Sequence, residues 1–344
     1  MRIDLKIIME KFGTFGDQAT GVRPFIPIQN KIPSWQRLVF NIFGLFKLIL
    51  SIPFFITMFI NPFIFQFVPI SFLRNFIIRA NHFIHGHIIL FLCGNYFVSA
   101  TPTPLINKIV EPEKWKKPKH GDVVFAPLNS FLDLIWYSMK FSPNFLIPCQ
   151  GESDFAISYT LFPLMFKVLF CKGDLQKESF FGKKVNLSEF IAKSKESKHF
   201  ANVIFPESAQ TNGTGLLKYE PINFNLPNDC FVQVLGFKRN FKGISPNRSS
   251  PNQPGMFSYL LQIFGRFYES ASVIVAMEKD VKQPKEGQIT PEYMEQIRKI
   301  EGKLLKLPLL SIGAEKHAEY CKECLARGSS GDKGAIESAK AKMQ

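Results

Sequence analysis

The stretch richest in chemistry is Val203-Ile-Phe-Pro-Glu-Ser-Ala-Gln-Thr-Asn-Gly-Thr-Gly-Leu-Leu-Lys-Tyr219. It holds a carboxylate just past an apolar run, then a glycine turn, then a lysine. Backbone amides at such a turn bind phosphate oxygens. Gly213 and Thr214 are therefore candidate anion contacts, and Lys218 can add a point charge. Glu207 either orders the site or faces solvent at a strand end. A second stretch, Pro127-Leu-Asn-Ser-Phe-Leu-Asp133, leaves an apolar run and enters a helix. Asp133 follows Ser130 by three residues, the spacing of a capping box. It is either a helix-start residue or a functional carboxylate, and the spacing leaves both open.

Other reactive side chains point to less. Cysteines stand at 93, 149, 171, 230, 321 and 324, and Met1–Glu10 has no secretory pattern. A disulfide framework is not expected, and a reducing compartment is. Cys321-Lys-Glu-Cys324 is a lone CxxC. Structural zinc takes four ligands, so no metal is expected here, even with His317 nearby. His82, His85 and His87 do not share one helical face, which argues against a metal there too.

The elements that must carry these residues fall into four parts. Residues 1–35 are broken by glycines and prolines. Residues 36–100 are apolar: Leu38–Leu73 is a 36-residue run whose only charge is Lys47. A bilayer span needs about 20 such residues. Pro53 is expected to break the run into a helix from Ser34 to Ile52 and a second piece from Phe54 to Phe67. Together they form a membrane-embedded hairpin, with Arg37, Arg74 and Arg79 keeping both ends on the cytosolic side. Ile84–Val98 reads as an interfacial or core helix.

Residues 101–310 have α/β texture. Strands are predicted at 122–127, 144–149, 201–205, 231–238 and 271–277, and helices at 130–140, 159–170 and 186–198. Another helix opens at Thr290-Pro291. The fold class is thus α/β, a sheet covered by helices behind an N-terminal membrane hairpin. Residues 311–344 form a helical tail with a flexible break at Gly328–Gly334. Net charge is +14, which favours anionic partners. The apolar arm selects membrane lipids and phosphate-bearing amphiphiles over nucleic acid.

Phe205-Pro-Glu-Ser-Ala-Gln-Thr-Asn-Gly213 and Leu216-Leu-Lys-Tyr219 resemble the FPEGTxxNG block and the following LL-K stretch of the lysophosphatidic acid acyltransferase family. Val232–Lys238 is similar to the strand that follows. Asp133 falls where the Asp of the family's H-x4-D block lies. Gly173-Asp-Leu-Gln-Lys177 stands for the block whose arginine binds phosphate. With Met9–Phe12 and Gly21–Pro27, the likeness extends to about residue 305 and is nearest to a fungal subgroup of the endoplasmic reticulum and lipid droplets.

The resemblance implies an acyltransferase-type α/β fold and transfer of an acyl group from acyl-CoA, as co-substrate, to lysophosphatidic acid. No cofactor or metal is implied. Asp133 and Glu207 would be catalytic, and Gly213, Thr214, Lys218 and Lys177 would bind substrate. The domain would face the cytosol. One departure is sharp: the family's histidine, the general base, is replaced by Leu128, which cannot carry a proton. That substitution keeps open an inactive lipid-binding or scaffolding protein on the same fold, and another lysophospholipid as acceptor.

Overall fold

The computed structural model describes residues 13–65, 67–105, 114–179, 182–197, 200–251 and 255–326. Its centre is an eight-stranded sheet in the order β1-β9-β8-β2-β6-β3-β4-β5. The strands are β1 (Ala100–Thr103), β2 (Val123–Phe125), β3 (Asn144–Pro148), β4 (Phe155–Tyr159), β5 (Gly182–Asn186), β6 (Asn202–Ile204), β8 (Val232–Asn240) and β9 (Ser270–Ala276). A small antiparallel pair, β7 (Phe224–Asn225) and β10 (Gln288–Ile289), lies beside it. Strands β8, β2, β6 and β3 run parallel, and β4 and β5 add antiparallel strands at one edge.

The central strands are short, apolar and buried, as a sheet covered on both faces requires. Alternation sends their side chains to opposite layers. Val124 and Val203 join one core, while Val123, Phe125 and Ile204 join the other. The first core is roofed by α1 (Ser34–Phe65), α2 (Ser71–Leu92), α3 (Phe131–Phe141), α4 (Leu161–Phe170) and α6 (Met256–Phe264). The second is covered by α5 (Leu187–Glu196) and α7 (Pro291–Leu305), through Leu187, Ile191, Met294, Ile297 and Leu304. A last helix, α8, covers residues 314–326.

The apolar arm differs from expectation. Helix α1 runs unbroken for 32 residues through Pro53 and Pro62. A proline costs a helix one hydrogen bond and some crowding. Packing on both sides of the break opposes that cost: Phe40 and Gly44 lie on α6, and Leu48, Phe54, Phe55 and Met58 pack on the first core. The hairpin turn therefore includes 67–70, and α2 is its second limb. Ile84–Val98 belongs largely to that limb. Asn61 donates to Asn81 across the two helices at 2.9 Å.

Where α1 crosses α6 the backbones nearly touch. A Cβ on Gly44 would lie 2.0 Å from the Leu261 carbonyl oxygen, and one on Gly265 2.0 Å from that of Phe40. Only glycine permits so close an approach. Ser34–Pro62 contains a stretch of 18 residues with a mean hydropathy of 2.1 and is long and apolar enough to cross a membrane. Trp35, Ile42, Phe46, Ile49 and Ile64 leave it apolar on the outside.

The N-terminal segment carries one 3-10 turn, Gly13–Phe15. Phe15 and Phe25 pack on Tyr320 of α8. Met9–Phe12 and the break at Gly328–Gly334 lie outside the described residues.

Candidate functional site

Strands β2 and β6 are parallel neighbours, so the loops leaving their carboxyl ends lie side by side. Those loops are the two stretches singled out in the sequence, some eighty residues apart. Thr211 joins them: its hydroxyl donates to the Asn129 side-chain oxygen at 2.9 Å. In open α/β sheets ligands bind outside the carboxyl ends of strands.

Asp133 serves α3 as expected of a capping box. Ser130 is the N-cap: its hydroxyl accepts from the Leu132 amide at 3.2 Å, and the Asp133 carboxylate accepts from the Ser130 amide at 3.1 Å. It has a second role that the sequence hides. Arg239, at the far end of β8, donates to Asp133 Oδ1 at 2.5 Å. Arg239 also reaches Glu269 at 3.4 Å, and Glu269 pairs with Arg266. Two acids and two bases thus form one buried chain. Burial pushes the Asp133 carboxyl above its ordinary range, against the pull of Arg239 and the Ser130 amide. Leu128 has no exposed surface and packs in the first core.

Glu207 is also enclosed, at 1% exposure. Its Oε2 accepts from the Leu217 amide at 3.2 Å, and its Oε1 has no partner among the described residues. Burial, then the nearby Glu301 carboxyl, raises it well above the glutamate range. Arg298 of α7 donates to the Leu217 carbonyl at 2.8 Å and to the Leu216 carbonyl at 3.3 Å. Glu207 and Arg298 therefore hold the Leu216–Leu217 backbone from both sides. Ser208 adopts φ 50, a left-handed conformation that strains a serine. Its hydroxyl donates to the Pro148 carbonyl at 3.1 Å.

The glycine turn is folded on itself. The Gly213 amide donates to the Thr211 hydroxyl at 3.2 Å, and the Thr214 amide to the Asn212 side chain at 3.0 Å. Thr214 Oγ1 donates to that same Asn212 oxygen at 2.6 Å. The two amides expected to meet phosphate thus already have internal acceptors. Asn212 is held in turn by the N-terminal segment, donating to the carbonyls of Arg23 and Ile26 at 2.8 and 2.7 Å. From the other side Asn247 donates to the Asn212 carbonyl at 3.1 Å, and Ser249 to that of Phe25 at 3.0 Å.

Lys218 is exposed on this same segment. Lys177 is exposed on the segment after α4, where its carbonyl accepts from the Tyr159 hydroxyl at 3.2 Å. The structure thus brings the Asp133 and Glu207 loops together. Lys177 is tied instead to the end of β4.

An apolar cavity of about 250 Å³ opens near that end, between α1, α2 and α4. Met58, Phe59, Ile135, Tyr159, Phe162 and Met165 line it, with His82 and Ser138 as polar points. It lies at the carboxyl end of α3 and the motif loops at its amino end, about 16 Å apart along an 11-residue helix. His82 Nδ1 sits 3.0 Å from the Ser142 hydroxyl, and His85 and His87 bond to backbone carbonyls of their own helix.

Arg239, Glu269 and Arg266 were not legible as functional residues in sequence, since no local pattern links them. Glu301 did leave a signal: it is a carboxylate on the apolar face of α7, between Ile297 and Leu304. A scan against protein-family models and searches of curated proteins and of solved structures found no match to this chain.

Proposed function

We propose that the chain is a membrane-seated glycerolipid acyltransferase that transfers an acyl group from acyl-CoA to lysophosphatidic acid. One observation carries the reading: the two sequence blocks that resemble the family's motifs meet at the carboxyl ends of neighbouring parallel strands, joined by Thr211 and Asn129. The acceptor hydroxyl attacks the thioester carbonyl, the carbon–sulfur bond breaks, and CoA leaves as a thiol. With Leu128 in place of a base, the hydroxyl proton passes first to water or to the substrate phosphate and ends on the CoA sulfur. Asp133 and Glu207 fix the loops. Lys218, exposed beside the glycine turn, serves the glycerol phosphate. The apolar arm seats the domain on the cytosolic face of the endoplasmic reticulum or of lipid droplets, where an acyl chain can stay in lipid while its head group reaches the sheet.

A second reading, a non-catalytic lipid-binding protein, is favoured by a different observation. Asp133 is committed to Arg239, Leu128 is sealed in the core, and the apolar cavity lies away from both. The experiment is an acyl-CoA transfer assay on purified full-length protein across a panel of lysolipids, with Glu207→Gln beside the wild type. Turnover on lysophosphatidic acid that Glu207→Gln strongly reduces, in a folded protein, supports transfer. A silent wild type that still binds lysolipid selects the second reading. Turnover confined to another lysolipid overturns the acceptor assigned here.

A further inference from the structure

The turn that ends α4 lies against α8. This contact brings Cys171 to His317 and Cys321, residues nearly 150 positions away in sequence. The Cys171 sulfur lies 3.7 Å from His317 Nε2, and the Cys321 sulfur 3.4 Å from the same nitrogen. All three atoms fall within 4.8 Å of one another. His317 and Cys321 are four apart on α8 and so share a face. All three residues are buried, at 0 or 1% exposure. Among the described residues this is the group of histidine, cysteine or carboxylate side chains placed to hold an ion.

We propose that Cys171, His317 and Cys321 form a structural zinc site that staples α8 to the α/β domain. Three arguments support it. The first is metric. Tetrahedral zinc with Zn–S near 2.3 Å and Zn–N near 2.0–2.1 Å sets adjacent sulfur and nitrogen ligands about 3.6 Å apart. The two observed separations bracket that value. The second is electrostatic. Two thiolates and a neutral imidazole around Zn2+ sum to zero charge, the state an enclosed apolar site tolerates. A singly charged soft ion would leave a net negative centre there. The third is chemical: two sulfurs and one nitrogen suit zinc over magnesium or calcium.

The fourth position falls to water; Cys324, three residues further along α8 and also buried, stands outside the group of three. That thiol is the partner in the CxxC which, taken alone in sequence, gives no site. The surroundings show what the staple would hold. The Arg248 carbonyl lies 3.7 Å from the Cys171 sulfur and accepts from Gln210 at 2.9 Å. Gln210 also donates to the Val168 carbonyl of α4 at 2.9 Å. Gln210 belongs to the loop after β6, so zinc here would brace that loop from behind.

The test uses full-length protein purified in detergent from zinc-supplied cells, without chelator. Elemental analysis is expected to give one zinc per chain, retained on dialysis. X-ray absorption at the zinc edge should show two sulfur ligands. Cys171→Ser and His317→Ala should each lose the metal, while Cys230→Ser, at the start of β8, should keep it. If the ligand variants fail to fold, content and absorption of the wild type still decide. Wild type without zinc, zinc ligated by oxygen and nitrogen alone, or a 171–321 disulfide in protein isolated under thiol-blocking conditions would each overturn the proposal.

Discussion

Replacing Asp133 with Asn removes one charge from the buried chain Asp133–Arg239–Glu269–Arg266, which is neutral as it stands. The variant leaves a net positive charge where Arg239 has only 6% of its side chain exposed. The Asn oxygen can still accept one bond, from Arg239 or from the Ser130 amide, but it is a weaker acceptor than a carboxylate. Breaking one partner of a buried pair costs about 3–5 kcal/mol. Because a neutral acceptor remains, about 3 kcal/mol is expected, roughly a hundredfold in the folding equilibrium. Arg239→Met should cost a similar amount by orphaning Asp133. The double variant removes one charge of each sign and leaves Glu269 paired with Arg266. It should be no less stable than the worse single variant, a coupling of about 3 kcal/mol or more. Denaturant unfolding in detergent, followed by tryptophan emission, measures all four proteins. Strictly additive losses would refute the network. Asp133→Asn that unfolds like wild type yet loses acyl transfer would show that the carboxylate acts on substrate.

Three further outcomes follow from the structure. Glu301 is pushed up to about 8 by burial, against the Tyr219 hydroxyl that donates to it. The folded chain therefore keeps a proton that the unfolded chain releases near the ordinary value of 4.5. Stability from this group is complete below that value and falls by about 1.4 kcal/mol per pH unit until pH passes the folded value. Glu301→Gln should flatten urea-unfolding stability across this window, and an unchanged slope would dismiss the idea. The outer face of α1 should keep the protein in the membrane pellet through high salt and alkaline carbonate, because apolar contact is not screened; release by salt alone would contradict membrane seating. Met165→Trp should fill the cavity beside α4 and weaken lysolipid binding several-fold by fluorescence titration, at a stability cost of about 1–3 kcal/mol for overpacking; unaltered binding would place the lipid elsewhere.

Local physics wrote most of the fold into the sequence. The strands around Val124, Leu146, Val203, Val234 and Val273 are short apolar runs between turn residues, and the caps Ser130, Asn186 and Thr290 mark helix starts. β4 escaped because Phe155–Tyr159 merges into the apolar run of α4. The edge strands β1 and β5 escaped because their solvent-facing polar residues dilute the pattern. Pro53 misled for a different reason: the cost of a proline is local, whereas the packing of Phe40 and Met58 on either side of it is tertiary. The same division holds at the site. The capping box is local, and sequence alone described it. The Arg239 pair and the Cys171–His317 contact are made by strand order and by α8 folding back, which no spacing along the chain encodes.

One helix is common to every part of the proposed activity. The first half of α1 crosses α6 at Gly44 and Gly265, and Lys47 donates to the Arg266 carbonyl at 2.7 Å, beside the last charge of the Asp133 chain. Its second half supplies Met58, Phe59 and Pro62 to the wall of the apolar cavity. A single helix with an apolar outer face thus packs beside the Asp133 chain through α6 and Arg266 and lines the cavity at the other end of α3. Continuity through Pro53 matters for this reason: a helix broken there would let the halves move separately, and membrane depth at the cavity would no longer set the position of the loops. Removing residues 36–78 would thus not release a soluble domain. It would strip Phe55 from Phe264, remove Leu48, Phe54 and Met58, and open the first core to water, so that the expected product is an aggregating domain.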